Sequence, residues 1–180
     1  MHTSSEPRPV VLPRSTHCIS RSRIDPDALK VLYRLHHSGY KAYLVGGSVR
    51  DLLLGKSPKD FDVGTDAHPA EIRRLFRNCR IIGRRFRIAH IYFKGNKIIE
   101  VSTFRRNVPE EGPEGVEGEA AVRAAGTSIY GQPHEDAFRR DITINGLFYD
   151  IGTFSIIDYV GGMADLKDGI IRAIGDPERK

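Results

Sequence analysis

The apolar positions between residues 24 and 104 change period several times, and each change marks an element. Asp25-Pro26 has the form of a helix N-cap with proline at the first helical position. The helix it opens runs to about His37 and closes at Gly39, with Leu29, Leu32, Tyr33 and His36 as its apolar stripe. Tyr43, Leu44 and Val45 form a short apolar run cut off by Gly46-Gly47, the end of a buried strand. Val49, Leu52 and Leu53 follow at helical spacing and stop at Gly55. After a Ser57-Pro58 turn, Phe61 and Val63 alternate with Asp60 and Asp62, the two-residue period of a strand. Residues 69–76 read as a helix and 80–83, 87–93 and 97–103 as strands, with a hairpin at Gly95-Asn96. Residues 107–130, rich in Gly, Glu and Ala, predict a mobile loop with no core of its own. A helical segment over 135–148 and a small β element over 154–172 complete the pattern, which contains no internal repeat.

The pattern places unusual chemistry between its elements. On a strand, residues i and i+2 share a face, so Asp60 and Asp62 are expected side by side. Two adjacent carboxylates repel unless a cation lies between them. Mg²⁺ suits such a pair, since it prefers oxygen ligands and brings substrate phosphates with it. The glycine turn ahead of the 49–54 helix presents free backbone N–H groups to an anion, and Arg50 adds a charged donor fork. Each feature alone has an ordinary reading: a turn, a solvated strand edge, an Arg50-Asp51 pair on a helix face. Together in one strand–turn–helix–turn–strand unit they suit a metal-bound triphosphate.

Three other constellations stand out. Glu100 lies among apolar residues on a strand, where a carboxylate needs a partner or a metal. Asp136 and Arg140 are spaced i,i+4 and can pair on a helix. The stretch GRRFRIAHIYF, 83–93, joins three arginines to Phe86, His90 and Tyr92, either as a strand that meets nucleic acid or as a solvated strand face.

The segment LVGGSVRDLLLGKSPKDFDVGT resembles the signature of the class II nucleotidyltransferases of the polymerase-beta superfamily, the group of bacterial poly(A) polymerases and tRNA CCA-adding enzymes. ALKVLYRLHHSGYKAYLVGG, RRLFRNCRIIGRRFRIAHIYF, IIEVSTFR, EDAFRRDITINGLFYD and IIDYVGGMADLKDGIIRAIGDPE resemble the same family in order, from about Ile24 to Glu178, apart from the insert near 107–130. The GRRFR and AH wording is closer to the poly(A) polymerase branch than to the CCA-adding branch. The resemblance implies an α/β fold, a polymerase-beta-like nucleotidyltransferase head domain with a small mixed β-sheet flanked by helices. It implies transfer of AMP from ATP to an RNA 3′ end, or CCA addition to tRNA as the alternative. It assigns Asp60 and Asp62 to two Mg²⁺ ions, with Mn²⁺ as a substitute. It also assigns Gly46, Gly47, Arg50 and Arg140 to the nucleotide, and Asp141, ranked above Glu100, as a further functional acid. Base-reading and RNA-binding domains are expected C-terminal to residues 24–180.

Composition adds bounds. The 180 residues are enough for one domain with a real core, and the net charge of +5 is compatible with a polyanionic partner such as RNA. Five glutamates fall between Pro109 and Ala120, so the remainder is more basic still. Cys18 and Cys79 have neither metal-ligand spacing nor the pattern of a disulfide framework. No apolar run is long enough for a membrane helix, and the cytoplasm is the expected compartment. Residues 1–23, basic and rich in Ser and Pro, are expected to form a disordered tail.

Overall fold

The computed structural model describes residues 5–108, 129–176 and 178. Their strands are β1 (Val10–Leu12), β2 (Ala42–Val45), β3 (Asp62–Thr65), β4 (Cys79–Ile82), β5 (Ile88–Phe93), β6 (Lys97–Thr103), β7 (Leu147–Asp150) and β8 (Ser155–Asp158). Their helices, numbered here in chain order, are α1 (Pro26–His37), α2 (Gly47–Leu53), α3 (Pro69–Leu75), α4 (Pro133–Phe138) and α5 (Gly162–Asp168). The strands form one sheet in the order β1-β8-β7-β2-β3-β6-β5-β4. It is mixed, because β3 and β6 run parallel and the other neighbours antiparallel.

Alternation sorts the residues of each strand onto two faces. Leu44, Val63, Ala89, Ile91, Ile99, Val101, Leu147, Tyr149 and Ile156 belong to the main core together with Val31, Leu32 and Leu35 of α1, Val49 and Leu52 of α2 and Ile72 of α3. The alternate positions Tyr43, Val45, Phe148 and Ile157 form a smaller cluster with Phe104 and Ala137 of α4. Register then produces one row across the sheet: Arg80 beside His90, Glu100, Asp62, Val45, Phe148 and Ile157. The row is apolar on the side where α4 covers it and charged beyond Asp62.

Most of the expected elements are present. In α1, Asp25 caps the helix by accepting from the Asp27 and Ala28 N–H groups, and Gly39 takes a positive φ just beyond its end. The buried stripe differs from expectation: Ala28, Val31, Leu32 and Leu35 are buried, while His36 is exposed and Leu29 and Tyr33 pack only at the margin. Gly95 and Asn96 both adopt positive φ between β5 and β6, as a tight hairpin requires.

Three expectations are corrected. Residues 135–148 are not one helix. α4 ends before Arg140, and Ile142 instead pairs with Ala173 while the Thr143 N–H donates to the Arg172 carbonyl. Only Ile142 is extended; Thr143–Asn145 form one turn of 3-10 helix, and Leu147–Asp150 continue as a central strand. Residues 154–172 contain β8 but then α5, because Asp158 gathers the N–H groups of Val160, Gly161, Gly162 and Met163 and starts the helix. Residues 10–23 are not a loose tail. β1 pairs with β8, Ile19 is buried, His17 contacts the Phe154 carbonyl, and Arg23 donates to the carbonyls of Gly55 and Lys56. The expected insert over 107–130 lies for the most part outside the described residues, from 109 to 128.

Candidate active site

The sheet end at which β2 stops and β3 starts collects the chemistry. Val45, the last residue of β2, is the register partner of Asp62, the first of β3, so the Gly46-Gly47 turn leaves the sheet beside that aspartate. Gly46 has φ 71° and ψ −144°, a conformation open to glycine and strained for any side chain. A Cβ at Gly47 would sit 3.2 Å from Arg50 Nη2, so the guanidinium folds back over the turn. Arg50 is held there on two sides: Nε donates to Asp51 at 3.1 Å and Nη1 to the Asn145 side chain at 2.8 Å. Asn145 was not singled out in the sequence, although it ends the RRDITIN stretch. Its role depends on a contact 95 positions away along the chain.

Arg140 approaches the same turn, with its Nη1 3.5 Å from the position of a Cβ on Gly46. Its Nη2 donates to Asp136 at 2.9 Å, so the i,i+4 pair seen in the sequence is present and leaves the fork aimed at the turn. Asp136 is buried and also accepts from Arg139 and from the Arg105 N–H. Burial works against its charge, yet Arg140 and Arg139 outweigh it and hold the carboxyl below the usual range. Arg105 carries the cost of this crowding. Burial first, then Arg139 and Arg140, push it down to about 10, and its guanidinium stacks over Phe86 at 4.3 Å. The GRRFR stretch is thus a bend rather than a strand over 84–86, with Arg85 on the other approach to the same ring.

Asp62 is half-buried and faces the polar part of the row. Burial, then Glu100, then Asp60 raise its carboxyl to about 6, while Arg140 acts in the opposite direction. Asp60 lies just before β3 and is exposed, so the two aspartates are neighbours without both belonging to the strand. Glu100 is the register partner of Asp62 on the parallel strand β6. Its carboxylate is not buried as the sequence suggested. The side chain is 46% exposed and meets His90 Nε2 at 3.1 Å. Asp141 is placed differently: it is exposed, and its carboxylate accepts from the N–H of Ile142 while its carbonyl accepts from Ile174.

The donor set fits a hard divalent cation. Two carboxylates, Glu100 and Asp60, act on Asp62 and with its burial push it toward protonation, a conflict that a cation resolves. Among the described residues no three such groups are already gathered at ligating distance, so water and phosphate oxygens would complete any coordination.

The family model described as Poly A polymerase head domain matches residues 42–172. Poly(A) polymerase I of Salmonella typhi is 53% identical over 183 residues, covering 98% of this chain and 38% of that protein. A CCA-adding enzyme of Lactobacillus helveticus is 39% identical over 153 residues, covering 85% of this chain and 36% of that protein. The crystal structure of the Bacillus stearothermophilus CCA-adding enzyme in complex with CTP is similar with a TM-score of 0.67 at 31% identity, covering 87% of this chain and 35% of that one. This chain therefore spans well under half the length of the relatives it matches.

Proposed function

The chain belongs to the poly A polymerase head domain family, and from that membership we propose that it is the catalytic head of a template-independent RNA nucleotidyltransferase that adds AMP from ATP to RNA 3′ ends. The observation that carries the proposal is the pairing of Asp62 with Val45 on one side and Glu100 on the other, which joins a glycine–arginine turn to a carboxylate pair. The 53% identity to a poly(A) polymerase I favours adenylate addition over the CCA alternative.

In this reading the RNA 3′-oxygen attacks the α-phosphorus of ATP, the bond from that phosphorus to the bridging oxygen breaks, and pyrophosphate leaves with the β- and γ-phosphates. The backbone turn at Gly46-Gly47 admits the triphosphate closely because neither residue carries a side chain. Arg50 and Arg140, held by Asn145 and Asp136, aim fixed positive charge at the phosphates, where charge gathers in the transition state. Asp60 and Asp62 would hold Mg²⁺, or Mn²⁺ in its place, with Glu100 as the third carboxylate beside them. Bound there, the metal lowers the pKa of the attacking hydroxyl and neutralises charge on the triphosphate. Asp141 is retained as a further functional acid on the family resemblance, and it acts near Arg140 rather than with the Asp62 row. A cytoplasmic location belongs to the same proposal, and no described helix is long and apolar enough to cross a membrane.

Sequencing the products of the full-length protein acting on an unstructured RNA with Mg²⁺ and all four triphosphates tests the reading. Runs of adenylate are expected. Arrest after C-C-A on tRNA, with little extension of other RNA, would transfer the assignment to the CCA-adding branch.

A further inference from the structure

His90 stands in the charged row beside the carboxylates without touching the glycine–arginine turn. It stands on β5 directly opposite Glu100 of β6, which in turn stands opposite Asp62 of β3. The three side chains therefore share a face and lie one strand apart. His90 Nε2 lies 3.1 Å from Glu100 Oε1. On its other side His90 has Arg80 as its register partner, whose guanidinium lies over the Tyr92 ring at 5.8 Å, and Tyr92 itself packs edge-on to His90.

The arrangement has a physical consequence. A half-exposed glutamate on a strand has several rotamers, and beside a second carboxylate the repelled ones are favoured, pointing away into solvent. A ring nitrogen 3.1 Å from one oxygen limits that freedom and favours the rotamers that keep the carboxylate on the row. The imidazole is itself confined, since its side chain is only 21% exposed between Arg80 and Tyr92. A rigid group thus holds a flexible one next to the carboxylate with which it must share a cation.

We propose that His90 is a positioning residue of the catalytic centre: it keeps the Glu100 carboxylate on the row beside Asp62 for a divalent cation. The inference rests on the metal-dependent nucleotidyltransfer proposed above. It extends that reading from the side chains that meet the metal to one that acts through Glu100. Groups that orient metal-binding side chains in this way are commonly worth about 10- to 100-fold in metal affinity.

Binding of Mn²⁺ to the nucleotide-free protein, followed by the loss of the free-ion electron paramagnetic resonance signal, reads this without any catalytic turnover. His90→Leu keeps bulk on the strand and removes the ring nitrogen, and His90→Gln restores a donor. We expect His90→Leu to weaken Mn²⁺ by about tenfold or more and His90→Gln to recover most of the loss. In a Glu100→Gln background, His90→Leu should then have little further effect, because both changes remove one interaction. Thermal unfolding of each variant at metal-free pH 8 separates positioning from damage to the sheet. A His90→Leu affinity within twofold of wild type, or a full additional loss in the Glu100→Gln background, would overturn the inference. Asp62→Asn distinguishes this from failure of the underlying reading. If Asp62→Asn abolishes Mn²⁺ binding while His90→Leu leaves it intact, the metal centre stands and the role of His90 falls. If Asp62→Asn binds Mn²⁺ like wild type, both fall.

Discussion

Asp62 keeps its proton up to about pH 6 because its burial and the neighbouring Glu100 and Asp60 all penalise the charged form. Since the folded carboxyl holds its proton more tightly than the unfolded one, its contribution to stability is complete below about pH 3.8 and is lost as pH rises through about 6. The metal-free protein at pH 8 therefore carries a destabilising charge, on the order of 1 kcal/mol after allowance for solvent screening. Asp62→Asn should raise the midpoint of thermal unfolding by about 2–4 °C at pH 8 without metal and leave it unchanged at pH 4, as scanning calorimetry at the two values will read. The same protonation should weaken apparent Mg²⁺ affinity below about pH 6, with one proton released per ion bound at that group, measurable by titration calorimetry in buffers of different ionisation heat. At this scale the sequence carried much of the site. Gly46, Gly47, Arg50, Asp60 and Asp62 are close in the chain, so local periodicity brings them together on paper as it does in space. Glu100, His90 and Asn145 meet their partners through contacts between distant segments, which no local pattern contains.

β3 is the element on which the candidate site depends, and three of its residues divide their duties. Asp62 faces the polar row and Val63 the main core, while Gly64 leaves room beneath Phe104 and Val45. A Cβ at Gly64 would lie 2.8 Å from both Phe104 Cε1 and Val45 Cγ1, each packed in the smaller cluster and unable to yield freely. Gly64→Ala should cost about 1–3 kcal/mol by urea unfolding, with activity falling in parallel because Asp62 shifts with its strand. Elements with one period and clear stops, α1, α2, α3 and the β5–β6 hairpin, were legible in the sequence. The segment after α4 was not. Its apolar spacing suits a helix, but Thr143 hydrogen bonds to Asp165 and pairing with residues 172–173 pull it into a turn and then into β7.

The whole molecule is closed by its N-terminal arm, whose basic, Ser- and Pro-containing composition suggested disorder. Composition describes the arm's solvent face; Ile19 and Ile24 are buried in the main core, and β1 extends the sheet past β8. Removing residues 1–20 exposes the surface under Ile19 and strips the β1–β8 pairing, so a loss of about 2–3 kcal/mol in unfolding free energy is expected. Chemical denaturation of the truncated and intact proteins checks it. The fold's larger purpose is to bring a glycine–arginine turn, an aspartate pair and a third carboxylate to one end of one sheet, and the account stands on that convergence. Its most direct test is the rate at which the full-length protein transfers labelled AMP from ATP to an RNA 3′ end with Mg²⁺, wild type against Asp62→Ala. Loss of a metal-holding carboxylate should remove several kcal/mol of transition-state stabilisation, a fall of about a hundredfold or more, in a protein that keeps its circular dichroism and unfolds cooperatively at no lower temperature. Transfer retained above about a tenth of the wild-type rate, a loss of less than about 1.4 kcal/mol, would contradict the account.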